Sequence, residues 1–205
     1  MLPSFLIIDD FLANPHDVRR QALALNYDPK LKKGNYPGLL STQALPVEAL
    51  NKTVSRTIGT SVIADKNTSH GHCRITQAGD KGRSGVHIDP CFYSGILYLS
   101  LPEHCRGGTD FFRHRRTGLE SVPSDPARQI LSGYNDPNSL IEDVVNKDTT
   151  SMSKWERTMR APMRFNRLIL FNPWLFHNAG PGFGNTPENA RLVCLLFFAA
   201  GNQRA

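Results

Sequence analysis

Two histidines and one aspartate are the side chains of this sequence whose types and spacing suit metal chemistry. One residue separates His87 from Asp89, and His177 follows far downstream. Two imidazoles and one carboxylate can occupy one face of a non-haem Fe(II) ion and leave positions open for oxygen and a co-substrate. Because alternate residues of a strand point to the same side, we predict that residues 86–89 form a strand that directs His87 and Asp89 to one metal.

Other histidines offer a second arrangement. His70 and His72 also stand at alternate positions, as in cupins, and Cys73 lies beside them. No acidic residue follows this pair at a useful spacing, so it is the less favoured metal set. His104 and His114 stand in loop-like contexts and are expected to be solvated. For His87, Asp89 and His177, the alternative interpretation is that they are two surface histidines and an aspartate in a turn.

The N-terminal part of the chain predicts one strand and two helices. Residues 3–8 are apolar and short enough for a strand. Asn14 can cap a helix whose first residue is proline, which suits that position. A second helix begins at Pro46, has apolar residues at helical spacing and ends at Gly59. Residues 28–41, rich in Lys, Gly and Pro, are predicted to be a loop.

Further along, the pattern changes to short apolar runs separated by Gly and Pro, which is typical of strands. The predicted strands are residues 72–76, 86–89, 93–101, 109–112, 167–171 and 191–198. With the helices they predict a mainly β fold with added helices (α+β), in which N-terminal helices support a jelly-roll barrel that carries a helical insertion.

The length of 205 residues predicts one domain, residues 1–205, with a sizeable core. The predicted parts are an N-terminal strand with helices at 1–65, a barrel core at 72–112 and 165–200, and an insertion at 113–164.

Two short helices are expected within the insertion. The first begins at Asp136, and the second contains Trp155 and Met159. Loops of this length are usually functional lids or disordered segments, and the apolar residues here favour packing. We predict that the insertion covers the metal site and sets substrate choice; the alternative is a flap packed away from the mouth. Three arginines are expected at its base, Arg113, Arg115 and Arg116.

Composition limits the class of protein. The hydrophobic fraction of 40% fits a globular protein, and no apolar run approaches the ~20 residues of a membrane span. The apolar N-terminus lacks a basic region and is not interpreted as a signal peptide, so we expect a cytoplasmic protein with four reduced cysteines. The net charge of +6 leaves nucleic acid open as a partner, although no basic stretch is interleaved with aromatic residues. A homodimer is also left open.

Several motifs surround the proposed ligands in a defined order. Tyr98 begins a Tyr-Leu pair after Asp89, a Gly-Gly-Thr motif ends at Thr109, and Arg191 opens an apolar run after His177. The order resembles that of the Fe(II)- and 2-oxoglutarate-dependent dioxygenases, specifically their prolyl-4-hydroxylase-like branch, over residues 72–198. The resemblance implies a double-stranded β-helix barrel, Fe(II) bound by the two histidines and the aspartate, 2-oxoglutarate as co-substrate, and molecular oxygen.

The resemblance also implies residues that bind 2-oxoglutarate. Arg191 is the expected anchor for the distal carboxylate, because a guanidinium pairs bidentately with a carboxylate and a charge that opens so apolar a strand requires solvent or a partner. The hydroxyl of Tyr98 is expected to assist, or else Tyr98 is a core residue. Gln77 replaces a tyrosine of a related branch and could donate a hydrogen bond. Thr109 and Arg74 are expected to line the same pocket.

The function that follows is hydroxylation of a small-molecule, amino-acid or peptide substrate, coupled to decarboxylation of 2-oxoglutarate to succinate. Because Asp89 occupies a position that halogenating relatives leave free for chloride, hydroxylation is favoured over chlorination. Two alternatives stay open: a non-catalytic sensor that binds the metal and 2-oxoglutarate, and a nucleic-acid demethylase of the same superfamily.

Overall fold

Antiparallel strands make up most of the regular structure in this chain. The computed structural model describes residues 2–31, 35–125 and 131–201. The strands are β1 Phe5–Ile8, β2 Leu39–Ala44, β3 Val62–Ala64, β4 His72–Thr76, β5 Tyr93–Tyr98, β6 Gly108–His114, β7 Trp155–Pro162, β8 Leu168–Phe171, β9 His177–Asn178 and β10 Arg191–Ala200. The helices are α1 Pro15–Ala24, α2 Glu48–Ile58 and α3 Pro137–Leu140, which continues into a π-helical segment Ile141–Asn146; 3-10 turns occur at Pro29–Leu31 and Met152–Lys154.

Two sheets are formed by these strands. The larger has seven strands in the order β1-β8-β5-β10-β4-β2, with β3 paired to the far part of β10, and the smaller has the order β7-β6-β9. The prediction of a mainly β fold with added helices is therefore confirmed. Within the described ranges, the strand pairing forms two separate sheets and not one closed barrel.

Strand β10 lies at the centre of the larger sheet, between β5 and β4. Its sequence is almost continuously apolar, which is typical of a strand buried on both faces. The side chains of Leu192, Cys194, Leu196 and Phe198 belong to the core on the outer face of the sheet. Val193 packs on the inner face, in a second core that also includes Phe111 of the smaller sheet. The sheet thus separates two apolar layers.

Helices α1 and α2 cover the outer face, as predicted, because Ala22 of α1 and Val54 and Ile58 of α2 belong to that core. Gly59 follows α2 with a φ of 72°, the left-handed conformation that glycine adopts readily at the end of a helix. Asn14 precedes α1, but its side chain makes no capping hydrogen bond.

The predicted loop at residues 28–41 overlaps β2, which begins at Leu39 and pairs with β4. This strand was not predictable from local pattern because its stability comes from a partner distant in the sequence. Residues 32–34 of the predicted loop lie outside the described ranges.

The second predicted helix of the insertion is wrong. Trp155 and Met159 lie on β7, which pairs along its length with β6. Most side chains of β7 are exposed and polar, so the strand has no alternating apolar pattern to reveal it. A bidentate ion pair fixes it instead, because Arg160 Nε and Nη2 donate to Asp110 at 2.6 and 2.8 Å.

The first predicted helix of the insertion is confirmed. The carboxylate of Asp136 accepts hydrogen bonds from the backbone N–H groups of Asn138 and Ser139, which is the expected cap. The apolar residues that follow form a third core with residues from either side of the insertion. Its buried members are Val86, Phe112, Val122, Leu140, Val144, Val145, Trp155 and Phe176.

His114 takes part in the packing of the insertion and is not solvated, contrary to expectation. Its side chain lies at the end of β6 and is fully buried, with Nε2 at 3.0 Å from Asp148 Oδ2 and Nδ1 at 3.1 Å from Thr117 Oγ1. The indole of Trp155 also donates to the backbone carbonyl of Asp148. These contacts attach the insertion to the smaller sheet.

All four cysteines are free thiols. Among the described residues, helices are too short or too polar to cross a membrane.

The contact between His114 and Asp148 generates a test of how the insertion is held. Replacement of Asp148 by alanine leaves a buried imidazole nitrogen without a partner, so we expect a loss of about 1–3 kcal/mol in the free energy of unfolding. Urea denaturation followed by circular dichroism measures it. The control is Asp17→Ala, which removes an exposed ion pair with Arg20 and should cause a smaller loss. Equal effects of the two substitutions would contradict the assignment.

Candidate metal centre and adjoining cavity

The backbone brings His87 and His177 together. The N–H of His87 donates to the carbonyl of His177 at 2.9 Å, and the N–H of His177 donates to the carbonyl of His87 at 3.0 Å. This pair is an isolated bridge, so the predicted strand at residues 86–89 is wrong. Asp89 is positioned separately, because its N–H donates to the carbonyl of Pro173. The segment therefore pairs only at His87 and then turns away.

The three predicted ligands converge. Nε2 of His177 lies 3.3 Å from Oδ2 of Asp89, and Nε2 of His87 lies 3.8 Å from Oδ1. One potential ligand atom from each residue lies within 4.8 Å of the others. The Nδ1 atoms contact backbone carbonyls, of Gly85 at 2.9 Å and of Leu175 at 2.7 Å. Such outer hydrogen bonds fix the ring orientation and direct both Nε2 atoms towards a common centre.

The electrostatics of this cluster suit a cation. Burial, and then the neighbouring His177, lower the pKa of His87 to about 4, so its imidazole is neutral near pH 7. Burial raises the pKa of Asp89, but the attraction of His177 and His87 and a hydrogen bond from Ser94 outweigh it, and the pKa falls to about 2. A neutral imidazole and an ionised carboxylate are the forms that bind metals.

A second layer of contacts supports the cluster. Ser94 Oγ donates to Asp89 Oδ2 at 2.8 Å. The ring of Tyr36 lies edge-on to the ring of His87, with centroids 4.9 Å apart. Thr149, from the insertion, accepts from the N–H of Val86 through its carbonyl and donates to the carbonyl of Val86 through its hydroxyl.

A cavity of about 280 Å³ opens beside the cluster and includes all three residues in its wall. One side is the inner face of the larger sheet, where alternate residues of β10 line it: Arg191, Val193, Leu195 and Phe197. Tyr36, Arg74 and Thr76 contribute to the wall, and a turn at residues 67–69 completes one end.

Arg191 is the most unusual residue in this wall. Only 2% of its surface is exposed, and its Nε and Nη2 atoms have no hydrogen-bond partner. Burial lowers its pKa, while Tyr98 opposes that effect. The predicted start of the last strand at Arg191 is confirmed, since Arg191 pairs with Thr76 of β4. A buried guanidinium with free donors requires an anion to satisfy it.

The other residues predicted to bind the co-substrate are placed differently. Tyr98 is fully buried with its ring 6.0 Å from the Arg191 guanidinium carbon, and its hydroxyl lies 2.7 Å from Thr109 Oγ1. Neither residue is part of the cavity wall. Gln77 follows the end of β4, its N–H donates to Asp80, and the structure does not bring it to the cavity.

The rival histidine pair is occupied by structural contacts. His72 Nδ1 lies 2.8 Å from the carbonyl of Ser41. His70 Nδ1 contacts backbone groups of Phe197. In the part of the chain that the structure describes, a convergent metal-ligating group occurs at His87, Asp89 and His177 and not at this pair.

The described part of the insertion does not cover the cavity. Its described residues, 113–125 and 131–164, contribute nothing to the cavity wall. Its apolar side chains instead pack against Val86 and Phe176, the residues before the two histidines. Arg113 and Arg116 pair with Glu120 and Asp143 at 2.6 Å. The predicted lid is therefore wrong for these residues, which pack instead behind His87 and His177.

Sequence reasoning missed Tyr36 and the turn at residues 67–69. Tyr36 lies in the predicted loop, where a single aromatic residue among Lys, Gly and Pro was the available signal. The turn precedes β4 and faces the cavity because β4 is the neighbour of β10 in the sheet.

Known proteins share features with this chain. A family profile described as "Family of unknown function (DUF6445)" matches residues 3–198. The solved structure of the non-haem alpha ketoglutarate dependent carbocyclase SnoK from nogalamycin biosynthesis superposes with a TM-score of 0.52 at 12% identity, covering 95% of this chain and 79% of SnoK. This similarity shows a common fold.

Two further structures are similar at lower TM-scores. HygX from Streptomyces hygroscopicus, with nickel, 2-oxoglutarate and hygromycin B bound, gives 0.46 at 14% identity, covering 96% of this chain and 83% of HygX. IDO from Bacillus thuringiensis gives 0.45 at 12% identity, covering 97% and 94%. No curated protein matches the sequence. Assignment to the prolyl-4-hydroxylase-like branch stays a prediction.

The convergence of the three residues generates a graded test of metal binding. His87→Ala, Asp89→Ala and His177→Ala should each weaken Mn(II) binding by more than the about 10–100-fold that loss of an outer hydrogen-bond partner causes. Ser94→Ala, which removes such a partner, should fall within that range. The electron paramagnetic resonance signal of free Mn(II) measures the affinity. His16→Ala, at an exposed histidine, is the control, and a wild-type affinity in His87→Ala would refute the assignment.

Proposed function

We propose that this chain, which belongs to the DUF6445 family of unknown function, is an Fe(II)- and 2-oxoglutarate-dependent oxygenase. The observation that supports this most strongly is the placement of Arg191. Its unpaired, buried guanidinium faces the same cavity as His87, Asp89 and His177. A set of metal-binding side chains and an unpaired guanidinium line one small cavity. They fit a ligand that chelates the metal at one end and has a carboxylate at the other.

The donor set fits Fe(II). Two imidazoles and one carboxylate on one side of an ion are the ligands of non-haem Fe(II) oxygenases, and they leave positions for co-substrate and oxygen. His87, Asp89 and His177 would hold the ion, with the hydrogen bonds from Nδ1 keeping both rings oriented. SnoK, whose fold this chain shares, is described as a non-haem alpha ketoglutarate dependent enzyme, which agrees with this donor set.

The surroundings of Arg191 fit 2-oxoglutarate. The free Nε and Nη2 donors of Arg191 can form two parallel hydrogen bonds with one carboxylate. Tyr98 and Thr109 hold one another by a hydrogen bond behind the guanidinium and so limit its movement. We assign Arg191 as the anchor and Tyr98 and Thr109 as its supports, with Gln77 outside the site.

When Fe(II) and 2-oxoglutarate are bound, molecular oxygen would be the oxidant: one of its atoms would enter a substrate C–H bond, and the other would enter succinate as 2-oxoglutarate loses carbon dioxide. The residues of the chain bind and position. Arg191 holds the co-substrate, and the apolar side chains of Ile96, Val193 and Leu195 exclude water from the cavity. In this proposal the two sheets are the two halves of a double-stranded β-helix, with the cavity between them.

The size of the cavity favours a small substrate. Its volume of about 280 Å³ lies at the lower end of ligand pockets, which range over about 300–1,000 Å³. A free amino acid or another small molecule fits this better than a nucleic acid, and a peptide could enter only by one side chain. Formation of succinate from 2-oxoglutarate separates an oxygenase from a non-catalytic sensor, which would bind the co-substrate without consuming it.

The role of Arg191 is tested by Arg191→Gln. Loss of one partner of a buried charge pair should weaken 2-oxoglutarate binding by about 2–5 kcal/mol, while the affinity for Fe(II) stays the same. Anaerobic titration, followed by the weak visible charge-transfer band of the Fe(II)–2-oxoglutarate complex, measures both. Arg56→Gln, at an exposed position on α2, is the matched control. An unchanged 2-oxoglutarate affinity in Arg191→Gln would show that the anchor lies elsewhere.

The presence of Asp89 in the cluster predicts the type of product. An intact carboxylate occupies the metal position that chloride would need, so turnover in chloride buffer should add oxygen and not chlorine. Mass spectrometry of products formed in chloride and in chloride-free buffer decides this. A product whose mass shows chlorine would overturn hydroxylation as the reaction.

A further inference from the structure

A second arginine faces the cavity and has no role in the proposed binding of metal and co-substrate. Arg74 lies on β4, where it pairs in register with Val193 of β10, and it forms part of the cavity wall. The one hydrogen bond of its side chain to a described residue is long, 3.4 Å from Nη1 to the carbonyl of Pro37. Among the described residues, no carboxylate lies within ion-pair distance of it. Arg74 therefore presents an uncompensated positive charge.

Tyr36 holds the guanidinium of Arg74 next to the proposed metal ligands. The guanidinium carbon of Arg74 lies 5.4 Å from the centre of the Tyr36 ring, a cation–π contact. The same ring lies 4.9 Å from the ring of His87. One aromatic side chain thus contacts both Arg74 and a proposed metal ligand. A group bound to Arg74 would be held close to the reacting centre.

The charges in the cavity do not balance without a further anion. Fe(II), Arg74 and Arg191 are cationic, whereas Asp89 and the 2-oxoglutarate dianion are anionic. Histidines bind metals as neutral imidazoles, so with both histidines on the metal and all other groups in place the loaded site keeps one net positive charge. An unpaired charge in a small, largely apolar cavity is costly, and one more monoanion would neutralise it.

We propose that Arg74 binds the carboxylate of the primary substrate, so that the substrate class is small carboxylic acids. This inference rests on the proposed function. The remainder of the wall suits the body of such a molecule, because the side chains of Ile96, Leu195 and Phe197 are apolar. A carboxylate is preferred over a larger anion because the planar guanidinium matches it in a bidentate pair and the cavity is small.

The test uses propanoate as the probe and propanamide as its uncharged equivalent. The wild-type protein is loaded with Mn(II) and saturating 2-oxoglutarate, and the paramagnetic relaxation of the probe protons is measured by nuclear magnetic resonance. We expect propanoate, but not propanamide, to be relaxed at the site. In Arg74→Gln the affinity for propanoate should fall by about tenfold or more. Arg74→Lys, which keeps the charge but not the fork, should show an intermediate loss.

Separate measurements distinguish the possible failures. Arg56→Gln is the matched control and should bind propanoate like the wild type. In Arg74→Gln the affinity for 2-oxoglutarate should stay within about threefold of wild type; a parallel loss would show that Arg74 serves the co-substrate and overturn the proposal. Propanoate binding that is absent in the loaded wild type, or equal in Arg74→Gln, also overturns it. Failure of Mn(II) or 2-oxoglutarate to bind the wild type would instead refute the proposed function, and this inference with it.

Discussion

Two backbone hydrogen bonds between His87 and His177 determine where the candidate metal centre forms. They join segments that are far apart in the sequence, and the side chains then follow from the backbone. Each imidazole is held by a carbonyl two residues before it, so both rings have one orientation. The third core stabilises this junction, because Val86 and Phe176 are buried in the apolar cluster that includes residues of the insertion. Errors in that packing would therefore move His87 and His177 even though no described residue of the insertion lines the cavity.

The second constraint is the positive charge of arginine side chains in a cavity with poor access to water. Arg191 has donors with no partner, and Arg74 has a single long hydrogen bond. Natural proteins seldom leave a buried group such as Arg191 unsatisfied, so its presence in the cavity indicates a ligand and not a contribution to stability. Under the proposed function, the carboxylate of Asp89 would bind a metal and the two guanidinium groups would bind anions. Along the cavity wall, the negative charge lies at Asp89 and the positive charges lie at Arg74 and Arg191.

The sequence alone was sufficient to predict which residues come together at the candidate centre but not the architecture around them. The convergence of His87, Asp89 and His177 could be predicted because the order of motifs around them resembles that of a known family, and the place of Arg191 because a charge at the start of an apolar strand needs a partner. The helix at Asp136 followed from local capping rules. The strand at residues 86–89, the helix around Trp155 and the lid were wrong, since pairing and placement depend on partners distant in the sequence. Tyr36 reaches the cavity only through sheet neighbours, which no local pattern records.

The alternation of β10 has a consequence for evolutionary divergence. Residues 192, 194, 196 and 198 of this strand pack in the core beneath the helices, whereas 193, 195 and 197 face the cavity, where Val193 and Leu195 also pack against the inner core. The two sets interleave in sequence but lie on opposite sides of the sheet, so a substitution in one set leaves the contacts of the other in place. Homologous chains can therefore acquire new ligand preferences by exchanging residues at these three positions while they retain the hydrophobic layer beneath the helices. Residues on one face of the strand can therefore change ligand selectivity while those on the other face preserve the scaffold.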